Sequence, residues 1–231
     1  MHRYRFNNLP SKIITHGNFD ETCELSLSEM ALDSIETDSL KLRIQRHGGK
    51  KVISGLKVIV SSRNGNISIA VGDDNSKVEF DENSSGNYDL RLWRNSSVYI
   101  GKNTTSNGIR IVCANSEFLC GKDCMFSDNI LVQTADQHGI VNIETKEIVN
   151  ASFNTVILGD HVWLGRQCTL TANARVGRGS VIGTGAIVTG EVPDKVIAAG
   201  VPARIIKENH TWSRSPVALD YFSKKIIDEP C

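Results

Sequence analysis

The chain has 231 residues, and 26 Lys and Arg balance 26 Asp and Glu, so it carries no field that would draw it to nucleic acid or an anionic membrane. One domain with a short appendage is the expected scale. No apolar run approaches the ~20 residues of a membrane span. The opening Met1-His2-Arg3-Tyr4-Arg5-Phe6 lacks the apolar stretch of a secretory signal, so a cytoplasmic protein acting on a small, neutral or mildly charged substrate is expected.

Residues 1–51 show no repeat, although Leu40, Leu42 and Ile44 alternate as in a strand; they read as a β-rich segment capping an open sheet edge. From residue 52 the pattern changes. Apolar pairs recur twenty residues apart at Val58/Val60, Val78/Phe80, Val98/Ile100 and Phe118/Cys120, with intermediate strands near Ile67/Ile69, Leu90/Leu92 and Ile109/Ile111. A six-residue phase appears at Cys120, Phe126 and Val132 and returns at Leu158, Leu164, Leu170, Val176 and Ile182. Gly follows four of these last five, at Gly159, Gly165, Gly177 and Gly183, and a small or β-branched residue stands four after each, at Val162, Cys168, Ala174, Ser180 and Ala186. That period is neither 3.6 nor 3.5, which excludes helices, and two inward sites per short strand and turn describe an all-β solenoid whose coils bury their core by stacking.

The six-residue grid breaks at residues 139–155, directly after His138, and resumes at Val156, which marks an inserted loop. The solenoid is expected to end near residue 207. In the tail, 208–231, Leu219, Phe222 and Ile226 predict a short helix over 218–227. The six cysteines, Cys23, Cys113, Cys120, Cys124, Cys168 and Cys231, form no C-x-x-C pair; Cys120 and Cys124 occupy apolar positions of the repeat, so buried free thiols are expected and no metal.

The hexad, together with Asp160-His-Val-Trp-Leu-Gly, Ile182-Gly-Thr-Gly-Ala-Ile-Val-Thr and Ala199-Gly-Val-Pro-Ala-Arg204, resembles the hexapeptide-repeat acyltransferase superfamily. The branch is that of the maltose, galactoside and capsular-polysaccharide O-acetyltransferases, and the match runs over residues 98–207. The resemblance implies a left-handed parallel β-helix with eighteen residues per turn, a homotrimer with active sites between subunits, acetyl-CoA as acyl donor, and a sugar or polysaccharide acceptor. It also implies that the loop after His138 reaches toward the next subunit, and loops on a rigid scaffold are where binding residues concentrate.

Transfer of an acetyl group from a thioester to an alcohol needs a base, donors for the developing oxyanion and a groove for the CoA arm. His138, closing Asp136-Gln137-His138, stands where the resemblance places the catalytic histidine, and an imidazole, titrating ordinarily near about pH 6.5, can take a proton at neutral pH. Asp136 either orients that imidazole or makes a corner hydrogen bond, and its place in the hexad is a small inward position. Trp163 matches a family position that packs at the acceptor or thioester site. Arg166 stands where a small residue usually offers its backbone N–H to the thioester; its guanidinium suits CoA phosphates or an acidic sugar. Thr184 and Thr189 fall where relatives line the pantetheine groove, Gly190 replaces a frequent lysine, and Arg204 and Lys207 stand near the expected CoA nucleotide. Asn150 in Lys146-Glu-Ile-Val-Asn150 matches a loop segment that meets the substrate site. His161 reads as a coil-corner residue.

Three other functions fit a β-helix. An N-acetyltransferase of an amino-sugar nucleotide or antibiotic would leave an amide instead of an ester. A γ-type carbonic anhydrase needs three zinc-binding histidines, and only His138 and His161 lie in the relevant coils. A non-catalytic binding module would bind no acyl-CoA.

Overall fold

The computed structural model describes residues 1–229; Cys231 lies outside the described residues. Short parallel strands stack coil upon coil on three faces. The first face carries Glu24–Leu27, Lys57–Val60, Lys77–Phe80, Ser97–Ile100, Ser116–Cys120, Asn154–Leu158, Arg175–Val176 and Glu191–Val192 in that order. The second holds Met125–Phe126, Trp163–Leu164, Val181–Ile182 and Ile197–Ala199, and the third Ile130–Gln133, Thr169–Leu170 and Ile187–Val188. In the earlier coils these two faces are joined by long bent strands, Asn64–Val71, Ser85–Trp93 and Thr105–Ala114.

The two repeat lengths are visible in the pairing. Lys57, Lys77, Ser97 and Glu117 pair in succession at intervals of twenty. Ile157 pairs with Arg175, Trp163 with Val181 and Thr169 with Ile187 at intervals of eighteen. The hexad residues Leu158, Val162, Leu164, Cys168, Leu170, Ala174, Val176, Ser180, Ile182 and Ala186 are all buried in the prism interior. Cys23, Cys113, Cys120, Cys124 and Cys168 are buried free thiols, and burial pushes Cys113 and Cys168 up to about 12.

Corners need residues that tolerate left-handed backbone, and one corner shows why Asn and Asp recur there. Asn83, Asn103, Asp123, His161, Gly179 and Lys195 all have positive φ and stack over one another. From Asn103 onward the N–H of each donates to the carbonyl one residue before the column position in the preceding coil, from Asp123 to Lys102 at 2.7 Å and from His161 to Lys122 at 2.8 Å. This column lies between the first and second faces.

The boundary at residue 51 does not separate a cap from the coil. Glu24–Leu27 pairs in parallel with Lys57–Val60, and Leu40–Arg46 pairs with the strand Asn64–Val71, so a full coil already runs through residues 18–46. Helix α1, Glu29–Glu36, replaces a corner of that coil, capped by Ser28 and burying Ala31 and Ile35. The capping element is shorter: His2–Arg5 runs antiparallel on Glu24–Leu27.

At the other end Arg204–Lys207 turns back antiparallel on Ile197–Ala199. The tail then climbs the corner column. His210 N–H donates to Lys195 O at 2.8 Å, Thr211 Oγ1 to Gly179 O at 2.8 Å, Trp212 Nε1 to His161 O at 2.8 Å, and Arg214 Nε to Asp123 Oδ1 at 3.0 Å. Helix α2, Tyr221–Asp228, folds back on the column, with Ile226 buried over Gly179; it starts later than the expected 218 because Asp220 caps it. Among the described residues no helix is long and apolar enough to cross a membrane.

Two predictions follow from this geometry. Gly86 bends its strand at φ +110, and a Cβ there would sit 1.9 Å from Ser106 O; Gly86→Ala is expected to destabilise the coil by about 2 kcal/mol or more, read from the denaturation midpoint. Asp220 loses hydration in the docked tail, but the N–H groups of Ser223 and Arg214 and the hydroxyls of Ser223 and Ser213 outweigh this and bring it down to about 2. A lowered folded value means stability present above the ordinary 3.8 and lost as pH falls toward 2. Tryptophan fluorescence of the docked tail is therefore expected to change between about pH 4 and pH 2, and Asp220→Asn is expected to abolish that acid step.

Candidate active site

The candidate residues occupy different corners of the prism. His138 follows the third-face strand Ile130–Gln133 and precedes the first-face strand Asn154–Leu158, so it stands at the corner between those faces. Trp163 opens the second face directly after the His161 corner. The five-residue strand Asn154–Leu158 lies between the two corners, roughly 16 Å of extended chain. Arg166 and Thr184 stack at the remaining corner, where Gly185 N–H donates to Arg166 O at 2.8 Å. Thr189 and Gly190 follow Ile187–Val188 and so lie below the His138 corner.

At the His138 corner the chain leaves the coil sooner than the hexad suggests. Thr134 and Ala135 turn inward, whereas Asp136, Gln137 and His138 are exposed. Asp136 is thus not at a small inward position, because the chain leaves the coil after Ala135. Asn150 ties this exposed segment together. Its Nδ2 donates to Asp136 Oδ2 at 3.0 Å and to His138 O at 2.9 Å, and its Oδ1 accepts from Ile140 N–H at 2.8 Å. Between them residues 139–149 form a small hairpin, with Val141 bridged to Ile148 and Val149 N–H donating to Ile140 O at 2.9 Å. Asp136 thus accepts a hydrogen bond from Asn150, which also braces the backbone of His138.

The hairpin carries its apolar residues outward. Ile140, Val141, Ile148, Val149 and Phe153 are at least half exposed, and Ile143 is 89% exposed. Six such side chains on one short insertion make an exposed apolar patch.

Trp163 is half-buried on the outer side of the coil, between Met125 and Val181 of the flanking strands, and its Nε1 donates to Ser127 Oγ at 3.3 Å. Arg166 pairs through Nε with Asp128 Oδ1 at 2.6 Å, and this guanidinium lowers the Asp128 carboxyl. The pair is exposed and weak, so it leaves the guanidinium available to an incoming anion. Thr184, Thr189, Gly190, Arg204 and Lys207 are all exposed, and a Cβ at Gly190 would meet nothing within 4 Å. These surfaces are open enough to receive an extended ligand.

His161 is engaged elsewhere. It is 1% exposed, with Nδ1 2.6 Å from Asp123 Oδ2 and Nε2 2.9 Å from Trp212 O, and its ring stacks on the Trp212 ring at 4.2 Å. The tail contributes Trp212 and Arg214 to this side of the molecule, next to Trp163. Sequence reasoning missed both, because neither Trp212 nor Arg214 falls on a motif or a periodic position.

No family model matches the chain. It is 35% identical over 142 residues to the polysialic acid O-acetyltransferase of Escherichia coli O1:K1 / APEC, covering 61% of this chain and 46% of that protein. It is 30% identical over 126 residues to the galactoside O-acetyltransferase of Escherichia coli K12, covering 54% of this chain and 61% of that protein. The chain thus spans about half the length of the curated relatives it matches. Among solved structures, that of the polysialic acid-specific acetyltransferase NeuO superposes with a TM-score of 0.75 at 28% identity, over 93% of this chain and 94% of that one. By its repeat and its coil the chain is a left-handed parallel β-helix, and the relatives it is similar to are O-acetyltransferases.

Proposed function

We propose that the protein is an acetyl-CoA-dependent O-acetyltransferase acting on a sugar hydroxyl of a surface polysaccharide or its precursor. The observation that carries this reading is the match of nearly the whole chain to a polysialic acid-specific acetyltransferase fold, with His138 tied by Asn150 at the root of an exposed apolar hairpin. In the proposed reaction the acceptor oxygen attacks the thioester carbonyl carbon, the carbon–sulfur bond breaks, and the hydroxyl proton passes to the His138 imidazole and then to the departing sulfur. No covalent enzyme intermediate is needed.

His138 and Trp163 stand at different corners of one chain, so the site is expected to form where two copies of a homotrimer meet, with the apolar hairpin of one seated on its neighbour. Trp163 offers an aromatic face to the sugar or the pantetheine arm. The backbone of Arg166 and the exposed Thr184, Thr189 and Gly190 suit the donor's extended arm, and Arg204 and Lys207 provide cations for its phosphates. The Arg166 guanidinium is placed to favour an anionic donor or acceptor over a neutral one.

Thiol release from acetyl-CoA, measured over a panel of oligosaccharides and sugar nucleotides with mass spectrometry of the products, tests the reading. His138→Ala is expected to lower kcat by ~10²–10⁴, the usual contribution of general-base help. Undiminished transfer by His138→Ala would sink the assigned base, and an amide as the only product would sink the sugar hydroxyl as acceptor. Asn150→Ala removes three hydrogen bonds from the His138 loop. It is expected to speed amide exchange across residues 136–150 and to reduce kcat at least tenfold with KM for acetyl-CoA unchanged; a protected loop in that variant would refute the bracing role.

A further inference from the structure

The C-terminal tail makes contacts too specific for a simple cap. Trp212 is 6% exposed, between the half-buried Thr211 and Ser213. Its ring lies flat on His161, 4.2 Å between centroids at an interplanar angle of 6°, and the two residues exchange hydrogen bonds: Trp212 Nε1 donates to His161 O at 2.8 Å and His161 Nε2 lies 2.9 Å from Trp212 O. His161 is fixed from behind by Asp123 at 2.6 Å, and Asp123 also accepts from Arg214 Nε at 3.0 Å. Arg214 goes on to donate to Thr105 Oγ1, Asn103 O and Cys124 O, and its guanidinium carbon lies 5.5 Å from the Trp212 ring centroid. Tail and coil thus hold Trp212 through its ring and at its polar atoms.

That fixed ring lies beside Trp163. The two indoles are 6.1 Å apart at 50°, an attractive tilted geometry, and the one side-chain hydrogen bond of the Trp163 indole is long, 3.3 Å to Ser127 Oγ. Trp163 sits two residues after His161, so the clasp fixes both the backbone that carries Trp163 and the space its ring can occupy. We infer that Trp212 is a positioning residue for acyl transfer: locked by His161, Asp123 and Arg214, it sets the orientation of the Trp163 ring, making the tail part of the transfer site. This rests on the acyl-transfer reading of Trp163 given above. It predicts that removing the tail's aromatic ring disturbs catalysis from a position that touches neither donor nor acceptor.

The test uses the full chain, whose three tryptophans give three indole N–H resonances. In Trp212→Ala the Trp163 resonance is expected to shift or broaden and kcat to fall at least tenfold, with KM for acetyl-CoA moved less than threefold. Trp212→Phe, which keeps a ring on His161, is expected to recover kcat to within a few-fold. Should Trp212→Ala fail to fold, Arg214→Ala loosens the clasp from its exposed side and is expected to move the same resonance in the same direction. An unmoved Trp163 resonance in either folded variant overturns the inference, as does a loss of kcat that merely tracks the loss of folded protein by circular dichroism. A wild-type chain that transfers acetyl to no acceptor refutes the acyl-transfer reading itself, and the resonance then still decides whether Trp212 positions Trp163.

Discussion

Everything in this molecule depends on each coil presenting the same backbone outline to the next. A single coil has only two or three inward side chains per face and cannot bury them alone; the parallel ladders between coils and the left-handed corner column give each coil a floor and a ceiling. The corner carries much of that constraint, because a residue with positive φ places its N–H beneath the carbonyl of the coil before. Asn and Asp adopt that conformation at low cost, which is why they recur at Asn83, Asn103 and Asp123. His161 occupies the same column, and its placement is therefore dictated by the coil before any chemistry is considered.

Where the outline repeats with constant spacing, it could be read directly from the residues. The hexads from Leu158 to Ile187 and the twenty-residue pairs from Val58 to Cys120 map onto stacked strands in the order expected. The first coil escaped because helix α1 occupies one corner and lengthens the coil, so Leu40 pairs with Gly65 across twenty-five residues and no period survives. Asp136 was misplaced for a related reason. A grid shows where apolar positions would fall next, but not where the chain departs from the coil, and here it departs after Ala135.

The site was legible to a different degree. His138 was named because it stands at the edge of the only long break in the grid, and it is exposed there. Arg166, Thr184 and Gly190 were named by their place in motifs, and all three are exposed in the coil. What no local pattern could reveal is a contact between residues far apart in the chain. Trp212 and His161 are fifty-one residues apart, and Arg214 and Asp123 ninety-one, with nothing periodic between them. Tail contacts of this kind come from the shape of the finished coil, against which a short polar segment finds complementary acceptors.

The polarity of that clasp bears on what it is for. Asp123 is 3% exposed in the side chain and faces both His161 and Arg214, and taking such a group out of water usually costs about as much as its partners return. An apolar tail segment would bury the same area with less demand on geometry. The polar version is nonetheless intolerant of displacement, since withdrawing one partner strands the others in a dry environment at a cost of ~3–5 kcal/mol. Its effect is therefore to select one seating of the tail among several of similar hydrophobic content. A structure that needed only to close its last coil has no use for that selectivity. One that must hold the Trp163 indole at a single angle has, and the coil corner where Trp212 is locked is the corner from which Trp163 emerges.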